Sequence, residues 1–195
     1  MTRRTWLIVG GTTLVMTALG PMAEAQAVAT NTERFSFTVA SASKAGSDAG
    51  TRFELTITRW ATDAERDRML SVLKTEGEEQ LRDGIRDAYI AGHLKLPGGT
   101  QNTVRYARRS PRPDGGEDIV LVFDWRLSPW WDKTLPSSPP DATFSVIQLR
   151  LAKNGTGEGK LAIRGLREDK ATGIMMTDYE SQPPLLLDLK REGSK

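Results

Sequence analysis

Alternating hydrophobic and polar residues predict most of the secondary structure of this chain. Phe35, Phe37 and Val39 alternate with polar residues, and residues 51–60 repeat the pattern, which predicts two strands. From residue 90 onward, more alternating segments are separated by turns rich in Gly, Pro and Asn. Their spacing is typical of an antiparallel meander, so we predict about eight strands.

Two short helices are predicted after the second strand, where the hydrophobic period lengthens. Thr62 and Glu65 have the spacing of a capping box, in which each side chain accepts a backbone N–H of the other residue. Gly77 ends this first helix, and a second helix is predicted over residues 78–88. The apolar positions of the two helices are Met69, Val72, Leu73, Leu81 and Ile85.

Each predicted strand has one apolar face and one polar face. One face of residues 119–127 contains Ile119, Leu121, Phe123, Trp125 and Leu127, and the other contains Val120, Val122, Asp124 and Arg126. Leu185, Leu187 and Leu189 share one face of the last strand. We expect the helices to cover the face that contains Leu121, Phe123 and Leu149, and the other face to be solvated.

The predicted fold class is α+β. It consists of an antiparallel β-meander of about eight strands, with a helical hairpin inserted after the second strand and packed on one sheet face. This order of elements is similar to the START/Bet v 1-like ligand-binding fold. The long C-terminal helix of that fold is missing, because the chain ends in a strand and the tail 191–195, and its absence argues against a large lipid cavity.

The N-terminus has the three-part layout of a secretory signal peptide. Arg3 and Arg4 precede an uncharged segment, residues 5–20, and small residues then alternate as A-x-A up to Ala27. We predict a signal peptide at residues 1–27 and one domain at residues 28–195, in the periplasm or outside the cell. The alternative is an uncleaved anchor. The arginine pair leaves the Sec and twin-arginine routes both open.

Charge and cysteine content exclude several classes of function. The predicted signal contains two arginines and Glu24, so 25 basic and 24 acidic residues follow it, out of totals of 27 and 25. A nearly neutral surface predicts no nucleic-acid binding, and no stable membrane span is expected after cleavage. Cysteine is absent, which excludes thiol catalysis and cysteine-based metal sites.

The sequence contains no motif that indicates catalysis, a metal or a cofactor. His93 is the single histidine, and no G-x-S-x-G motif is present, so we interpret it as structural. A carboxylate-dependent hydrolase with Asp124 and Asp132 stays open as an alternative. Four arginines, at positions 105, 108, 109 and 112, form a basic run that either protects a sheet edge or meets an anionic partner.

A tryptophan-rich segment is the candidate binding site. Trp125, Trp130 and Trp131 lie within seven residues of one another, next to Asp132. Exposed tryptophans stack on sugars or anchor partners, so the segment is a candidate site for a glycan or an envelope component. The alternative is that these rings form a small core of their own under a proline-rich loop.

Three segments resemble a group of uncharacterised exported bacterial proteins, acidobacterial ones among them. They are residues 53–67, the segment Arg105-Tyr106-Ala107-Arg108, and residues 178–186 with the form D-Y-x-S-x-P-x-x-L. The resemblance covers nearly the whole chain after residue 27 and implies export. It implies no activity, because none is assigned to that group. The sequence therefore predicts a non-catalytic exported binding domain. The alternatives are the hydrolase and a carrier that binds a small apolar ligand between the sheet and the helices.

Overall fold

The computed structural model describes residues 32–40, 52–96, 99–124, 144–162, 166–168, 175–176 and 185–193. It contains two helices, α1 (Asp63–Thr75) and α2 (Glu78–Arg86). Its strands are β1 (Glu33–Ala40), β2 (Arg52–Ile57), β3 (Gly92–Lys95), β4 (Gln101–Val104), β5 (Tyr106–Pro111), β6 (Glu117–Phe123), β7 (Ser145–Leu151), β8 (Thr156–Ala162), β9 (Leu166–Arg167), β10 (Met175–Met176) and β11 (Leu185–Glu192).

Nine of these strands form one antiparallel sheet that curls into a nearly closed barrel. The strand order is β4-β3-β2-β1-β11-β8-β7-β6-β5, so the two strands at its ends are consecutive in the chain. Arg105 lies between them, and its backbone N–H donates to Val122 O at 3.0 Å. Strands β9 and β10 pair separately. The α+β class and the antiparallel sheet are therefore confirmed, with nine strands in the main sheet rather than about eight.

Side chains from the inner faces of the strands fill the barrel. Phe37 and Phe53 stack with ring centroids 5.5 Å apart. A Cβ built on Gly159 would lie 2.7 Å from Leu149 Cδ2, so the interior is crowded at that point. The fully enclosed residues include Phe35, Leu55, Ile57, Ile119, Leu121, Phe123, Ile147 and Leu151.

A bulge in β11 changes which of its leucines face inward. The register shifts by one residue between Leu186 and Leu189, and Asp188 has a left-handed φ of 52°. Leu186 and Leu189 are consequently buried, whereas Leu185 and Leu187 are 43% and 38% exposed. The predicted apolar face of Leu185, Leu187 and Leu189 is therefore wrong, because strict alternation fails where one extra residue is inserted.

The helices cover the outer face of the barrel, not the face predicted from sequence. Leu81 and Ile85 of α2 are buried together with Val120 and Val122 of β6. Leu121 and Phe123, which we expected beneath the helices, point into the barrel instead. The expectation is wrong because the curled sheet encloses its own apolar face, which leaves the second, valine-bearing face for the helices to cover.

The start of α1 follows the sequence prediction. Thr62 accepts the backbone N–H of Glu65 at 3.2 Å, and Glu65 accepts that of Thr62 at 2.8 Å, so the capping box is confirmed. In the part of the chain that the structure describes, neither helix is long and apolar enough to cross a membrane.

Candidate functional site

A groove lies on the outer surface of the barrel, between the two helices and β5. We call it the helix groove, and its volume is 390 Å³. Its apolar lining consists of Ala61, Met69, Val72, Leu81, Ile85, Ala88, Tyr89, Ala91 and the ring of Tyr106. Gly84 on α2 also lines it, and a Cβ placed on Gly84 would meet nothing within 4 Å. The helices therefore cover this face of the barrel incompletely.

The break between β4 and β5 places two consecutive side chains in the groove. Val104 and Ala107 both point into the barrel, with two residues between them instead of the single residue that strict alternation requires. Arg105 and Tyr106 consequently both line the groove. The irregularity that closes the barrel thus also supplies a hydroxyl and a guanidinium to its outer surface.

The hydroxyl of Tyr106 is buried and has no hydrogen-bond partner among the described residues. Tyr106 is 5% exposed and packs beside Leu81, Ile85 and Phe144. Burial raises the pKa of Tyr106 to about 12, so at neutral pH the group is a protonated hydroxyl. An unpaired buried hydroxyl is costly, and a ligand or water that supplies its hydrogen-bond partner removes that cost.

Most charged groups around the groove are paired. Arg59 forms an ion pair with Glu65, and its guanidinium carbon lies 5.2 Å from the centre of the exposed Tyr89 ring. Arg105 Nε lies 3.0 Å from Asp124 Oδ2. These contacts hold the groove walls in position and satisfy both carboxylates.

The start of α1 is tied to β5 beside the groove. Arg108 Nη2 lies 2.6 Å from Asp63 Oδ1, and the hydrogen bond from Arg108 holds the pKa of Asp63 below its usual value. Ala61 N donates to Ala107 O at 2.7 Å. By contrast, the rest of α1 packs loosely, since none of its residues is fully buried. The helix is therefore anchored at its first turn, and beyond it by partly buried apolar side chains and by Lys74, whose Nζ lies 2.8 Å from Glu168 Oε2.

Arg68 is the cation in the groove without a partner. It lines the groove from α1 and is exposed, and it forms no ion pair or hydrogen bond within the described part of the chain. Asp87 also lines the groove, at the exposed end of α2. Within the described residues, the lining therefore combines an apolar floor, a buried hydroxyl donor and an unpaired cation.

A second polar cluster closes one end of the barrel. Glu33 accepts hydrogen bonds from Trp60 Nε1 at 2.9 Å and Arg109 Nη1 at 2.8 Å. Its other oxygen lies 3.2 Å from Arg191 Nε, and Arg191 also pairs with Glu117. Arg109 lies over the Trp60 ring. Because every member of this cluster has a partner, we interpret it as a structural feature that covers this end of the barrel.

The predicted candidate residues fall into two groups. Trp125, Trp130, Trp131 and Asp132 lie outside the described residues, and so does the predicted signal peptide at residues 1–27. His93 is half-buried in β3, paired in the sheet with Thr56 and Thr103. In the described ranges no group of three or more His, Cys, Asp or Glu residues is placed to hold a metal ion.

The four arginines of the predicted basic run have carboxylate partners. Asp124, Asp63, Glu33 and Asp114 pair with Arg105, Arg108, Arg109 and Arg112, respectively. The run therefore does not form a continuous free cationic surface. Arg108 and Arg109 are neighbours in β5 and point to opposite faces, Arg108 to Asp63 at the start of α1 and Arg109 to Glu33 at the barrel end.

The carrier alternative placed a ligand between the sheet and the helices, but the sequence identified neither polar donor of the helix groove. Tyr106 stands within the Arg105-Tyr106-Ala107-Arg108 segment that the resemblance singled out, but nothing in the sequence marks its hydroxyl as buried. Arg68 is one of several charged residues on α1. The available signal was the pair of apolar stripes on the helices, which is too narrow to cover a whole sheet face.

Comparison with known proteins yields no relative. No family model, no curated protein and no solved structure matches the chain.

Proposed function

We propose that this chain is a non-catalytic exported domain that binds a small ligand with an apolar body in the helix groove. The observation that supports this most directly is the apolar groove of 390 Å³ between the helices and β5. Small-molecule sites are concave, mostly apolar and roughly 300–1,000 Å³ in volume, with a few polar groups for orientation. In this proposal the two helices serve as the cover of an outer sheet face, and the barrel serves as the rigid support.

The distribution of packing also favours this site over the barrel interior. The interior is crowded around Gly159 and closed at one end by the Glu33 cluster. At the groove, by contrast, the large ring of Tyr89 is 76% exposed and available to a flat or aliphatic ligand. A ligand therefore finds unfilled apolar surface outside the barrel.

Export to the periplasm or beyond is part of the proposal. It is supported by the layout of residues 1–27 and by the resemblance to uncharacterised exported bacterial proteins. Binding of a glycan or partner at Trp125, Trp130, Trp131 and Asp132 stays a prediction. The hydrolase alternative has no support from Asp124, whose carboxylate is engaged by Arg105 and only 15% exposed.

The test is a fluorescence titration with N-phenyl-1-naphthylamine, a neutral apolar probe, on the protein purified after expression of the full chain. We expect saturable binding to the wild type. The substitution Gly84→Phe adds a ring to the groove without backbone strain. It should weaken probe binding about tenfold. Gln80→Phe adds the same ring to an exposed position of α2 outside the groove lining and should leave binding unchanged.

Two results would contradict the proposal. One is the absence of saturable binding to the wild type, and the other is an equal affinity of wild type and Gly84→Phe. Thermal unfolding of both phenylalanine variants checks that each is folded.

A further inference from the structure

We propose that the ligand of the helix groove has an anionic oxygen head, of the kind a carboxylate provides, bound by Tyr106 and Arg68. The inference rests on the proposed function and names the chemical class of its ligand. That class is a small amphiphile with an apolar body and a single negatively charged head.

Among the described residues, the polar groups around the groove that lack a hydrogen-bond or ion-pair partner are mainly donors. The Tyr106 hydroxyl is buried without a partner, and Arg68 has no carboxylate or carbonyl partner in the part of the chain described here. A tyrosine O–H and a guanidinium both donate to oxygen, and hydrogen bonds to an ionised acceptor are roughly twice as strong as neutral ones. A carboxylate has two acceptor oxygens, so one head can accept from both groups.

Two of the nearby carboxylates are already satisfied and so do not call for a cationic ligand. Glu65 accepts from Arg59 and from the backbone of Thr62, and Asp124 accepts from Arg105. Asp87 is the remaining carboxylate of the lining, and it lies exposed beyond the last turn of α2. The Tyr106 hydroxyl, by contrast, is buried without a partner in the described part of the chain, and its proton requires an acceptor oxygen.

The head reaches the hydroxyl by a small displacement of α1. The hydroxyl oxygen has almost no contact with solvent, so the groove must widen before a ligand contacts it. Met69, Val72 and Leu73 are all only partly buried, whereas α2 contains the buried Leu81 and Ile85. The last turn of α1 is also held by an exposed ion pair between Lys74 and Glu168, which contributes little, so the later turns of α1 move at a smaller cost than α2. The first turn stays in place through the Arg108–Asp63 pair.

The experiment measures displacement of N-phenyl-1-naphthylamine at neutral pH by decanoate and by 1-decanol, which share the apolar chain and differ in the head. For the wild type we expect decanoate to displace the probe at lower concentration than 1-decanol. Tyr106→Phe should weaken decanoate about tenfold, because it removes a buried hydrogen bond to a charged group. Arg68→Gln should weaken decanoate about threefold, because the ion pair that it removes is exposed. Both should leave 1-decanol within about twofold of its wild-type value.

Arg86→Gln is the matched control. Arg86 is an exposed arginine of α2 outside the groove lining, so its replacement removes the same charge without touching the site and should change neither competitor. Two results would overturn this inference while leaving groove binding intact. One is displacement of the probe by decanoate and 1-decanol at equal concentrations in the wild type. The other is an equal loss of affinity for decanoate and for 1-decanol in Tyr106→Phe and Arg68→Gln. Failure of the probe itself to bind would instead contradict the proposed function.

Discussion

The two faces of strand β6 pack against different partners, although both are apolar. On the inner face, Ile119, Leu121 and Phe123 are enclosed by the other strands of the barrel. On the outer face, Val120 and Val122 lie beneath α2 and the loosely packed α1. The inner face is closed by neighbours on every side, whereas the outer face is covered only in part and contains the helix groove.

This difference locates stability and binding in separate places. Truncating a side chain in the barrel interior is costly, because the surrounding strands cannot collapse into the gap. A face covered by two short helices tolerates an incomplete fit, because the helices can shift. Ligand binding on the outer face therefore need not disturb the part of the molecule that keeps it folded.

The largest expected change in the free energy of unfolding comes from a Leu→Ala substitution in the barrel interior, compared with the same substitution in the helices that cover the outer face. Leu121→Ala removes a fully enclosed side chain and should lower the free energy of unfolding by about 3 kcal/mol. Leu73→Ala makes the same change at a partly buried position of α1 and should cost about 1 kcal/mol. Urea denaturation of both variants measures the difference. Equal losses would show that the helices are packed as tightly as the barrel interior.

The Tyr106 hydroxyl makes the outer face sensitive to high pH. Burial raises its pKa from 10.0 to about 12, so the folded protein favours the protonated form. That stabilisation is fully present below pH 10 and is lost as the pH rises toward about 12, by on the order of 2 kcal/mol. Urea denaturation across this range should show a decline for the wild type that is smaller in Tyr106→Phe.

Tyr89→Phe is the control for this pH dependence, because Tyr89 is exposed and its replacement should leave the decline unchanged. At neutral pH, Tyr106→Phe should unfold no more readily than the wild type, because it removes an unpaired hydroxyl from an apolar site. A clear destabilisation at neutral pH would mean that the hydroxyl has a structural partner.

The smallest effect is expected at the charged end of the barrel. Glu33→Gln weakens contacts with Trp60, Arg109 and Arg191 in a half-buried cluster, and should cost about 1.5 kcal/mol. Glu54→Gln removes a carboxylate from an exposed pair with Lys95 and should cost less than about 0.5 kcal/mol. Thermal unfolding compares the two. If Glu33→Gln unfolded at the wild-type temperature, the charged cluster at this end of the barrel would not contribute to stability.

Local features were predictable because they depend on residues close together in the chain. The Thr62–Glu65 capping box forms as expected. One of the predicted turns rich in Gly and Asn lies at Asn154 and Gly155, where the Asn154 side chain accepts from Thr156 N and Gly155 adopts a φ of 78°. The alternation of Ile119, Leu121 and Phe123 likewise identified residues that share a face.

The features that were missed depend on residues far apart in the chain. The bulge at Asp188 reverses the faces of Leu185 and Leu186, and it is defined by pairing with β1 and β8 on either side. The lining of the helix groove required knowing that the sheet curls into a nearly closed barrel with the break between β4 and β5, which brings Tyr106 under the helices. No local pattern encodes such a closure.

The sequence by itself determined which residues group into strands and helices, where the helices begin, and that each strand has an apolar side, because these follow from periodicity and local hydrogen bonding. Only the tertiary structure decided that this apolar side is enclosed by the sheet itself. A flat sheet and a curled one place the same alternating residues on the same strand faces, and they differ in what each face meets. The groove with Tyr106 exists because the sheet curls.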